Sequence, residues 1–334
     1  MIEHAVDIWF CATARSGLGH LMRCHTIARA LAARRPDLRI GMMTNAPTIA
    51  FEDPSETVFA EHMIVERDAM AAALQARPAR LMVADTLIMP GIDTLSMRRA
   101  LILREMPEQR IPDFSCGSRA WDLVLIPNPP LAWQPTIPPT FAERILHVGW
   151  IYRPTPIVPR DPARTPMALV TFGGGGNAAT RQALRERIEP VLAAARNLSE
   201  RDFEVFQVLG PRASEDDRLL GCDHVIEVGG ALNQWLSKAD VVITTVGYNT
   251  ILELAQTDVP AMLVPIARNI DDQDRRARHW QARLGHRHVV GEHEHSARWL
   301  AEQLARRERR APVDLGPSGE GAAAAGLERC LATP

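Results

Sequence analysis

The stretch SGLGHLMRCHTIARAL, from Ser16 to Leu31, follows the first apolar run of the chain, VDIWFCAT. Its apolar residues recur at helical spacing, which predicts a strand, a glycine turn and then a helix from His20 to Arg35. Two glycines open the turn as in G-x-G-x-x-G, but Met22 stands at the third glycine position. The second apolar run ends in Thr44 and Asn45, which supply no carboxylate for a ribose. An ordinary NAD site is therefore disfavoured.

Short apolar runs alternate with helical stretches along the rest of the chain. In order, they are LRIGMMT, RLMVAD, ALILREM, DLVLIP, ILHVGW, MALVTF, FEVFQVLG, HVIEVG, DVVITTVG and AMLVPI. Buried strands that alternate with helices predict parallel sheets covered by helices.

A change in composition divides this alternating pattern in two. Residues 152–166, YRPTPIVPRDPARTP, hold five prolines and have no apolar period, so they predict a semi-rigid linker. We therefore predict an α/β fold of two Rossmann-like, doubly wound domains, 1–151 and 167–315. The tail, 316–334, is expected to end in a helix that returns to the N-terminal domain. Because ligands bind at the carboxyl ends of parallel strands, the two halves are expected to face a cleft, with a donor on one side and an acceptor on the other.

Composition narrows the class of protein. The 334 residues are 46% hydrophobic and 23% charged, with a formal net charge of −2, which is typical of a globular protein and disfavours nucleic-acid binding. No apolar run approaches the length of a membrane span, and the N-terminus has no basic segment of a signal peptide. Five scattered cysteines without a C-x-x-C pair fit a reducing cytoplasm.

The first glycine turn places a histidine at the mouth of a helix. Glycines let the backbone pass close to a ligand and expose helix N–H groups. An imidazole at this position, His20, can take a proton from a hydroxyl group or from water. The alternative, a histidine that only caps or packs against the helix, stays open.

Two further turns occupy equivalent places in the second half. TFGGGGNAAT, with Gly173 to Gly176, joins a buried strand to a helix and favours an anion or sugar contact. In VGYNTILEL, Gly247 opens a helix that Asn249 or Thr250 can cap. Glu253, expected in its first turn, either complements the helix dipole or binds ribose hydroxyls.

Two polar clusters suggest metal sites at first sight. Asp271 to Asp274 contain D-x-D, but acids are favoured where a helix opens, so we predict no metal there and expect Asp272 and Gln273 to bond sugar hydroxyls. GHRHVVGEHEH carries a second cluster, whose members are His286, His288, His293 and His295. Zinc chelation is one interpretation, and the solvated edge of a surface strand is the favoured one.

These motifs together resemble the GT-B nucleotide-sugar enzymes. The resemblance is closest to bacterial predicted glycosyltransferases related to MurG, the N-acetylglucosaminyltransferase of peptidoglycan synthesis. ALILREMP and HVGWIYRP also resemble segments of that group, so the resemblance covers most of residues 6–285. The G-x-G-H-x-x-R turn is shared with the UDP-sugar hydrolases of pseudaminic acid synthesis.

The resemblance assigns a role to each motif. It implies that His20 is the general base, with Gly17, Gly19, Arg23 and Asp85 on the acceptor side. It places four features on the donor side. They are the glycine-rich turn after MALVTF, the start of the helix that Gly247 opens, a ribose-binding acid and two sugar-binding residues. These are Gly173, Gly174, Gly175, Gly176, Gly247, Tyr248, Asn249, Thr250, Glu253, Asp272 and Gln273.

The implied function is an inverting, metal-independent glycosyltransferase of the cytoplasm. It would use a nucleotide-sugar co-substrate, expected to be UDP-linked, and no other cofactor. Two alternatives stay open: a UDP-sugar hydrolase in which His20 activates water, and a non-catalytic nucleotide-sugar-binding protein. The sequence indicates neither the acceptor nor the oligomeric state. The membrane-docking surface of the MurG-like enzymes is not evident, so peripheral membrane contact stays open too.

Overall fold

The computed structural model describes residues 6–14, 18–46, 58–159, 161, 163–172, 178–210, 215–227, 232–267 and 271–332. The chain divides into two compact units. The first comprises Met1–Tyr152 together with Gly316–Pro334, and the second comprises Arg153–Leu315.

The first unit is built on a parallel sheet whose described strands run in the order β3-β2-β1-β4-β5-β6-β7. The strands are β1 (Ile8–Ala12), β2 (Ile40–Thr44), β3 (Glu61–Ile64), β4 (Leu81–Asp85), β5 (Arg98–Ile102), β6 (Leu123–Ile126) and β7 (Ile145–His147). Its α-helices are α1 (Gly19–Arg34), α2 (Met70–Ala76) and, from the C-terminal tail, α8 (Glu320–Ala332). The central strands are buried along their whole length, as parallel strands covered on both faces must be.

The second unit repeats this plan with the strand order β10-β9-β8-β11-β12-β13. Its strands are β8 (Met167–Thr171), β9 (Glu204–Leu209), β10 (His224–Glu227), β11 (Val241–Thr245), β12 (Ala261–Val264) and β13 (Gly285–Arg287). Its helices are α3 (Ala178–Leu198), α4 (Leu232–Leu236), α5 (Tyr248–Ala255), α6 (Gln273–Leu284) and α7 (His293–Arg306).

Strand order fixes where each unit can bind a ligand. In the first unit the order reverses between β1 and β4, and in the second between β8 and β11. Ligands of doubly wound sheets bind at such switch points, beyond the carboxyl ends of the strands. Strands β1, β4, β8 and β11 therefore end at switch points, and the start of α5 after β11 lies at one of them.

The tail helix belongs to the first unit. Helix α8 packs against α1, and Ala323, Ala324 and Leu327 are fully buried in the core beneath it. A side chain at Gly319 would collide with the carbonyl oxygen of Val148, so glycine permits this close approach.

The predicted fold class, two Rossmann-like sheets of the α/β type, is confirmed. The structure adds elements that the sequence pattern did not indicate, namely β3 and α2, which lie in the weakly patterned stretch between Asn45 and Asp85. Helix α1 begins at Gly19, one residue before the predicted start. None of the described helices is long and apolar enough to cross a membrane.

Candidate functional site

Strand pairing brings the first glycine turn next to the end of β4. Strands β1 and β4 are neighbours, with Cys11 opposite Ala84, and Asp85 is the last residue of β4. Helix α1 leaves the end of β1 and carries His20 in its first turn. The switch point of the first unit therefore places an imidazole and a carboxylate side by side.

These two residues and Arg23 form one hydrogen-bonded network. His20 Nδ1 lies 3.0 Å from Asp85 Oδ1. Arg23 reaches both carboxylate oxygens, with Nε donating to Oδ2 at 2.9 Å and Nη2 donating to Oδ1. The side chains of Asp85 and Arg23 are buried, whereas that of His20 is 26% exposed. The network thus runs from the interior to a solvent-accessible ring.

The contact with Asp85 determines which imidazole nitrogen carries the proton. An ionised carboxylate can only accept, so Nδ1 of His20 donates and Nε2 keeps a lone pair. Arg23 Nη2, which is a donor, also lies 3.2 Å from Nδ1. A proton on Nε2 instead would leave two lone pairs facing each other across the 3.0 Å from Nδ1 to Asp85 Oδ1. The basic nitrogen of His20 is therefore Nε2.

The pKa values of His20 and Asp85 favour a neutral imidazole beside an ionised carboxylate. Burial alone would raise the pKa of Asp85, but Arg23 and His20 outweigh it and hold that pKa well below its usual range. Burial lowers the pKa of His20 below 6.5; Asp85 opposes this, and the charges of Arg23 and Arg104 add to it. At neutral pH the site consists of a neutral imidazole on an ionised carboxylate, which is the form that a general base requires.

Thr86, directly after Asp85, has a backbone conformation that β-branched residues rarely adopt, with φ of +46°. Its N–H and its hydroxyl both donate to the carbonyl oxygen of Ile102, at 2.8 and 2.9 Å. The hydroxyl also lies 3.2 Å from Asp85 Oδ1. Backbone strain of this kind clusters at functional sites, where the surroundings enforce it. Nothing in the pattern around RLMVADT pointed to Thr86, or to Arg104 beyond β5.

The N-terminus of α1 resolves one alternative for His20. Leu18 is the N-cap residue, and no side chain caps the helix. His20 is therefore not a capping residue. Gly17 lies outside the described residues, so its predicted role in the loop stays a prediction, while Gly19 forms the first residue of α1.

In the second unit, α5 follows the turn after β11. Gly247 is its N-cap residue, and neither Asn249 nor Thr250 supplies the side-chain cap that the sequence predicted. The φ of Gly247 is −67°, and a Cβ there would meet only Thr250 Oγ1, at the ordinary distance of 3.7 Å. Neither strain nor crowding requires glycine at this position, which leaves room for a ligand to approach the backbone.

Glu253 is placed differently from the prediction. It is the sixth residue of α5 rather than a first-turn residue, and it is buried. Its Oε1 accepts two hydrogen bonds from Arg153, from Nη2 at 2.7 Å and from Nε at 3.0 Å. Gln256 holds the same stretch, because its amide donates to Arg153 O at 2.9 Å and accepts from Thr155 N at 3.2 Å. In this structure Glu253 anchors the start of the linker segment.

Gln273 is buried as well, and its side-chain amide forms hydrogen bonds within the protein. Its Oε1 accepts from the backbone N–H groups of Val246 and Ile266, at 3.3 and 3.2 Å, and its Nε2 donates to Asp271 at 3.1 Å. Arg276 completes the arrangement by donating to Val246 O at 2.6 Å and to Asp271 at 2.7 Å. These buried side chains brace the turns after β11 and β12, and the expected sugar contact of Gln273 stays a prediction.

The remaining predicted residues have mixed outcomes. Asp272 is the N-cap of α6 and accepts from Arg275 N at 2.9 Å, as an acid at a helix start does. Gly173 to Gly176 lie outside the described residues, between the end of β8 at Thr171 and the start of α3 at Ala178. The histidine-rich stretch is not simply a solvated edge, because His288 is only 1% exposed. Within the described part of the chain, no group of three or more His, Cys, Asp or Glu side chains is placed to hold a metal ion.

Comparison with known proteins matches the second unit to an enzyme domain. Residues 169–314 match the model of the glycosyltransferase family 28 C-terminal domain. Over 79 residues the chain is 34% identical to the UDP-N-acetylglucosamine--N-acetylmuramyl-(pentapeptide) pyrophosphoryl-undecaprenol N-acetylglucosamine transferase of Verminephrobacter eiseniae. That match spans 24% of this chain and 22% of the length of the relative.

Solved structures match almost the whole chain at low sequence identity. The glycotransferase of kitacinnamycin is 17% identical, with a TM-score of 0.63 over 98% of this chain and 99% of that one. MurG of Acinetobacter baumannii is 14% identical, with a TM-score of 0.54 over 97% and 99%. The spinosyn rhamnosyltransferase SpnG complexed with thymidine diphosphate is 14% identical, with a TM-score of 0.58 over 97% and 96%. The chain therefore has the GT-B fold, and the matches support its resemblance to MurG-related proteins, while the resemblance to UDP-sugar hydrolases stays a hypothesis.

Proposed function

We propose that this chain is a glycosyltransferase that moves a sugar from a nucleotide-sugar to an acceptor hydroxyl group, with His20 as the general base. The observation that carries the proposal is the pairing of His20 with Asp85 at the switch point of the first unit. The match of residues 169–314 to a glycosyltransferase domain supports a donor site in the second unit.

In the proposed reaction, His20 Nε2 takes the proton of the acceptor hydroxyl group. The acceptor oxygen forms a bond to the anomeric carbon while the bond from that carbon to the diphosphate breaks, which inverts the configuration. Asp85 stabilises the imidazolium that forms and keeps the ring in the required orientation. The proton leaves His20 for solvent after the product has dissociated.

The leaving diphosphate would be stabilised by the start of α5, which carries Tyr248, Asn249 and Thr250. The first N–H groups of a helix lack partners within the helix and form a favourable anion site. The open space at Gly247 supports a close approach of phosphate to this backbone. Gly173 to Gly176 would contact the donor from the other side of the switch point. In this proposal the helix N–H groups supply the stabilisation, and no metal ion is needed.

Glu253 would bind the ribose hydroxyls beside its present partner or in its place. Arg153 occupies Oε1 of this carboxylate in the structure. Donor binding would therefore displace the guanidinium or share the carboxylate with it. Asp272, half-buried at the start of α6, is the better candidate of the two predicted sugar-binding residues, since Gln273 is committed to the backbone.

We propose a UDP-sugar as the donor, because the curated relative is named for UDP-N-acetylglucosamine. A TDP-sugar is the alternative, since the similar SpnG structure contains thymidine diphosphate. Hydrolysis is the second candidate function. It is favoured by one observation, that the His20 side chain is 26% exposed and so can be reached by water. The proposed place of action is the cytoplasm.

A donor panel tests this proposal. The purified chain would be incubated with UDP- and TDP-sugars, with and without a small-molecule extract of the source cells, and free nucleotide would be measured. Release that requires the extract is expected for a transferase. Equal release in buffer alone would replace transfer by hydrolysis. Binding of a donor without any release, with or without extract, would mean a non-catalytic nucleotide-sugar-binding protein.

A further inference from the structure

The proposed reaction leaves unused the histidine cluster, by which we mean His286, His288, His293 and His295. The first of these lies on β13, the second follows that strand, and the last two lie in the first turn of α7. The rings form two neighbouring, tilted pairs. The centres of His288 and His293 are 5.6 Å apart, and those of His286 and His295 are 5.0 Å apart.

One of these pairs has two buried nitrogens without a hydrogen-bond partner. They are Nε2 of His288 and Nδ1 of His293. Buried polar atoms nearly always have a partner, so a buried nitrogen that no protein group pairs is a candidate ligand-binding atom. Here two such atoms belong to neighbouring rings, and His288 is almost completely buried.

The contacts of Ser296 determine whether Nε2 of His288 can accept a ligand. Its hydroxyl oxygen lies 2.8 Å from His288 Nδ1 and 3.0 Å from His286 Nε2. If this hydroxyl donates its one proton to His286, it accepts from Nδ1–H of His288, and Nε2 of His288 then has a lone pair. Histidines that bind metals usually donate the other ring N–H in this way.

The spacing of the two rings also fits a shared metal ion. A metal held by two imidazole nitrogens at about 2.0–2.1 Å, with an angle of about 90–120° between them, places the ring centres roughly 4.5–5.6 Å apart. The separation of His288 and His293 lies at the upper end of this range. A small rotation of the half-buried His293 ring would adjust it.

We propose that His288 Nε2 and His293 Nδ1 bind a divalent first-row transition-metal ion, with zinc and nickel as the best matches to two imidazole ligands. The remaining coordination positions are filled by water or by an external ligand, because no third His, Cys, Asp or Glu side chain completes a site among the described residues. The site is separate from the proposed reaction and does not depend on it.

The charges around the pair set the expected strength of binding. The positive charge of Arg187 acts on His288 and opposes a cation there, although its guanidinium donates to the carbonyl oxygen of Pro265. Glu292, which acts on the neighbouring His286, partly compensates. Two ligands beside an arginine predict weaker binding than in a structural zinc site of four ligands.

The test is metal binding by the full chain after removal of metals with a chelator. Zn²⁺ would be titrated by calorimetry and Co²⁺ by visible absorption, because absorption also distinguishes imidazole from thiolate ligands. We expect one ion per chain for the natural sequence and the same Kd for His295→Gln, the matched control. His293→Gln should raise the Kd by about 10- to 100-fold.

Three results would overturn the proposal. They are no stoichiometric binding by the natural chain, an unchanged Kd for His293→Gln, or absorption of cobalt–thiolate character, which would place the ion on cysteines. His293 is half-buried, so His293→Gln should fold, and an unchanged melting temperature without metal would verify this. His288→Gln is a second variant with the same expected loss.

Discussion

The polar networks at the switch points of the two units end in opposite ways. In the first unit, the buried pair of Arg23 and Asp85 is hydrogen-bonded to His20, whose side chain is 26% exposed. In the second unit, Gln273 and Arg276 are both buried and bond to the backbone of the turns after β11 and β12. One network ends in a partly exposed imidazole, and the other holds loops in place.

This difference separates chemistry from binding. A proton-transfer group has to be accessible and correctly oriented, so its supporting residues are buried behind it. Turns that bind a phosphate through backbone N–H groups need rigid loops more than exposed side chains. We therefore infer that substitutions in the first network change turnover, whereas substitutions in the second change stability and donor affinity.

The largest expected effect is that of His20→Ala. Turnover should fall by about 10²- to 10⁴-fold because the general base is lost, while donor affinity and melting temperature stay unchanged. Nucleotide release and calorimetric donor binding measure the two quantities. His62→Ala, on an exposed position of the edge strand β3, is the control. If His20→Ala loses donor binding while bound donor still turns over at the natural rate, His20 would act in donor binding and not as the general base.

Asp85→Asn should have a smaller effect on rate and a diagnostic effect on pH dependence. The natural enzyme should lose kcat/KM as the pH falls through the lowered pKa of His20, below 6.5, because protonation removes the base. Asp85 raises that pKa, so its neutral replacement should move the acid limb to lower pH. The plateau should also fall, by roughly 10-fold or more, because the ring is no longer oriented. An acid limb that moves to higher pH would contradict the proposed pairing.

Gln273→Ala should lower the free energy of unfolding by about 1–3 kcal/mol, because two buried backbone N–H groups lose their acceptor. Denaturant unfolding measures this change, with Gln281→Ala on the same helix as the control. The relative rates with different donor sugars should not change. An altered donor preference with unchanged stability would instead support the sugar contact that the sequence predicted for Gln273.

Gly247→Ala should have the smallest effect on folding and a selective effect on the donor. The added methyl group meets only Thr250 Oγ1, at an ordinary contact distance, so stability should change by less than about 1 kcal/mol. If phosphate approaches this backbone, the KM for donor should rise by about tenfold with little change in kcat. Gly321→Ala in α8, which also has open space, is the control and should leave the KM unchanged.

The sequence predicted the fold well because alternating apolar runs and glycine turns are local signals. The parallel pairing of β1 and β4 brings together His20, Arg23 and Asp85, which the sequence named on the acceptor side, while their roles stay predictions. The sequence could not indicate that Gln273 points inward or that Glu253 pairs with Arg153, since those contacts depend on the packing of α5 and α6. The histidine cluster was misjudged for the same reason, because the burial of His288 comes from its contact with α7.

The most direct test of the account is a measurement of the His20 ring itself. Long-range ¹H–¹⁵N correlation spectra would be recorded across a pH series and assigned with the His20→Ala variant. They report which ring nitrogen carries the proton and the pH at which the other nitrogen becomes protonated. We predict a neutral ring with the proton on Nδ1 and a pKa below 6.5. A ring protonated on Nε2, or one that stays an imidazolium at neutral pH, would contradict the assignment of His20 as the general base.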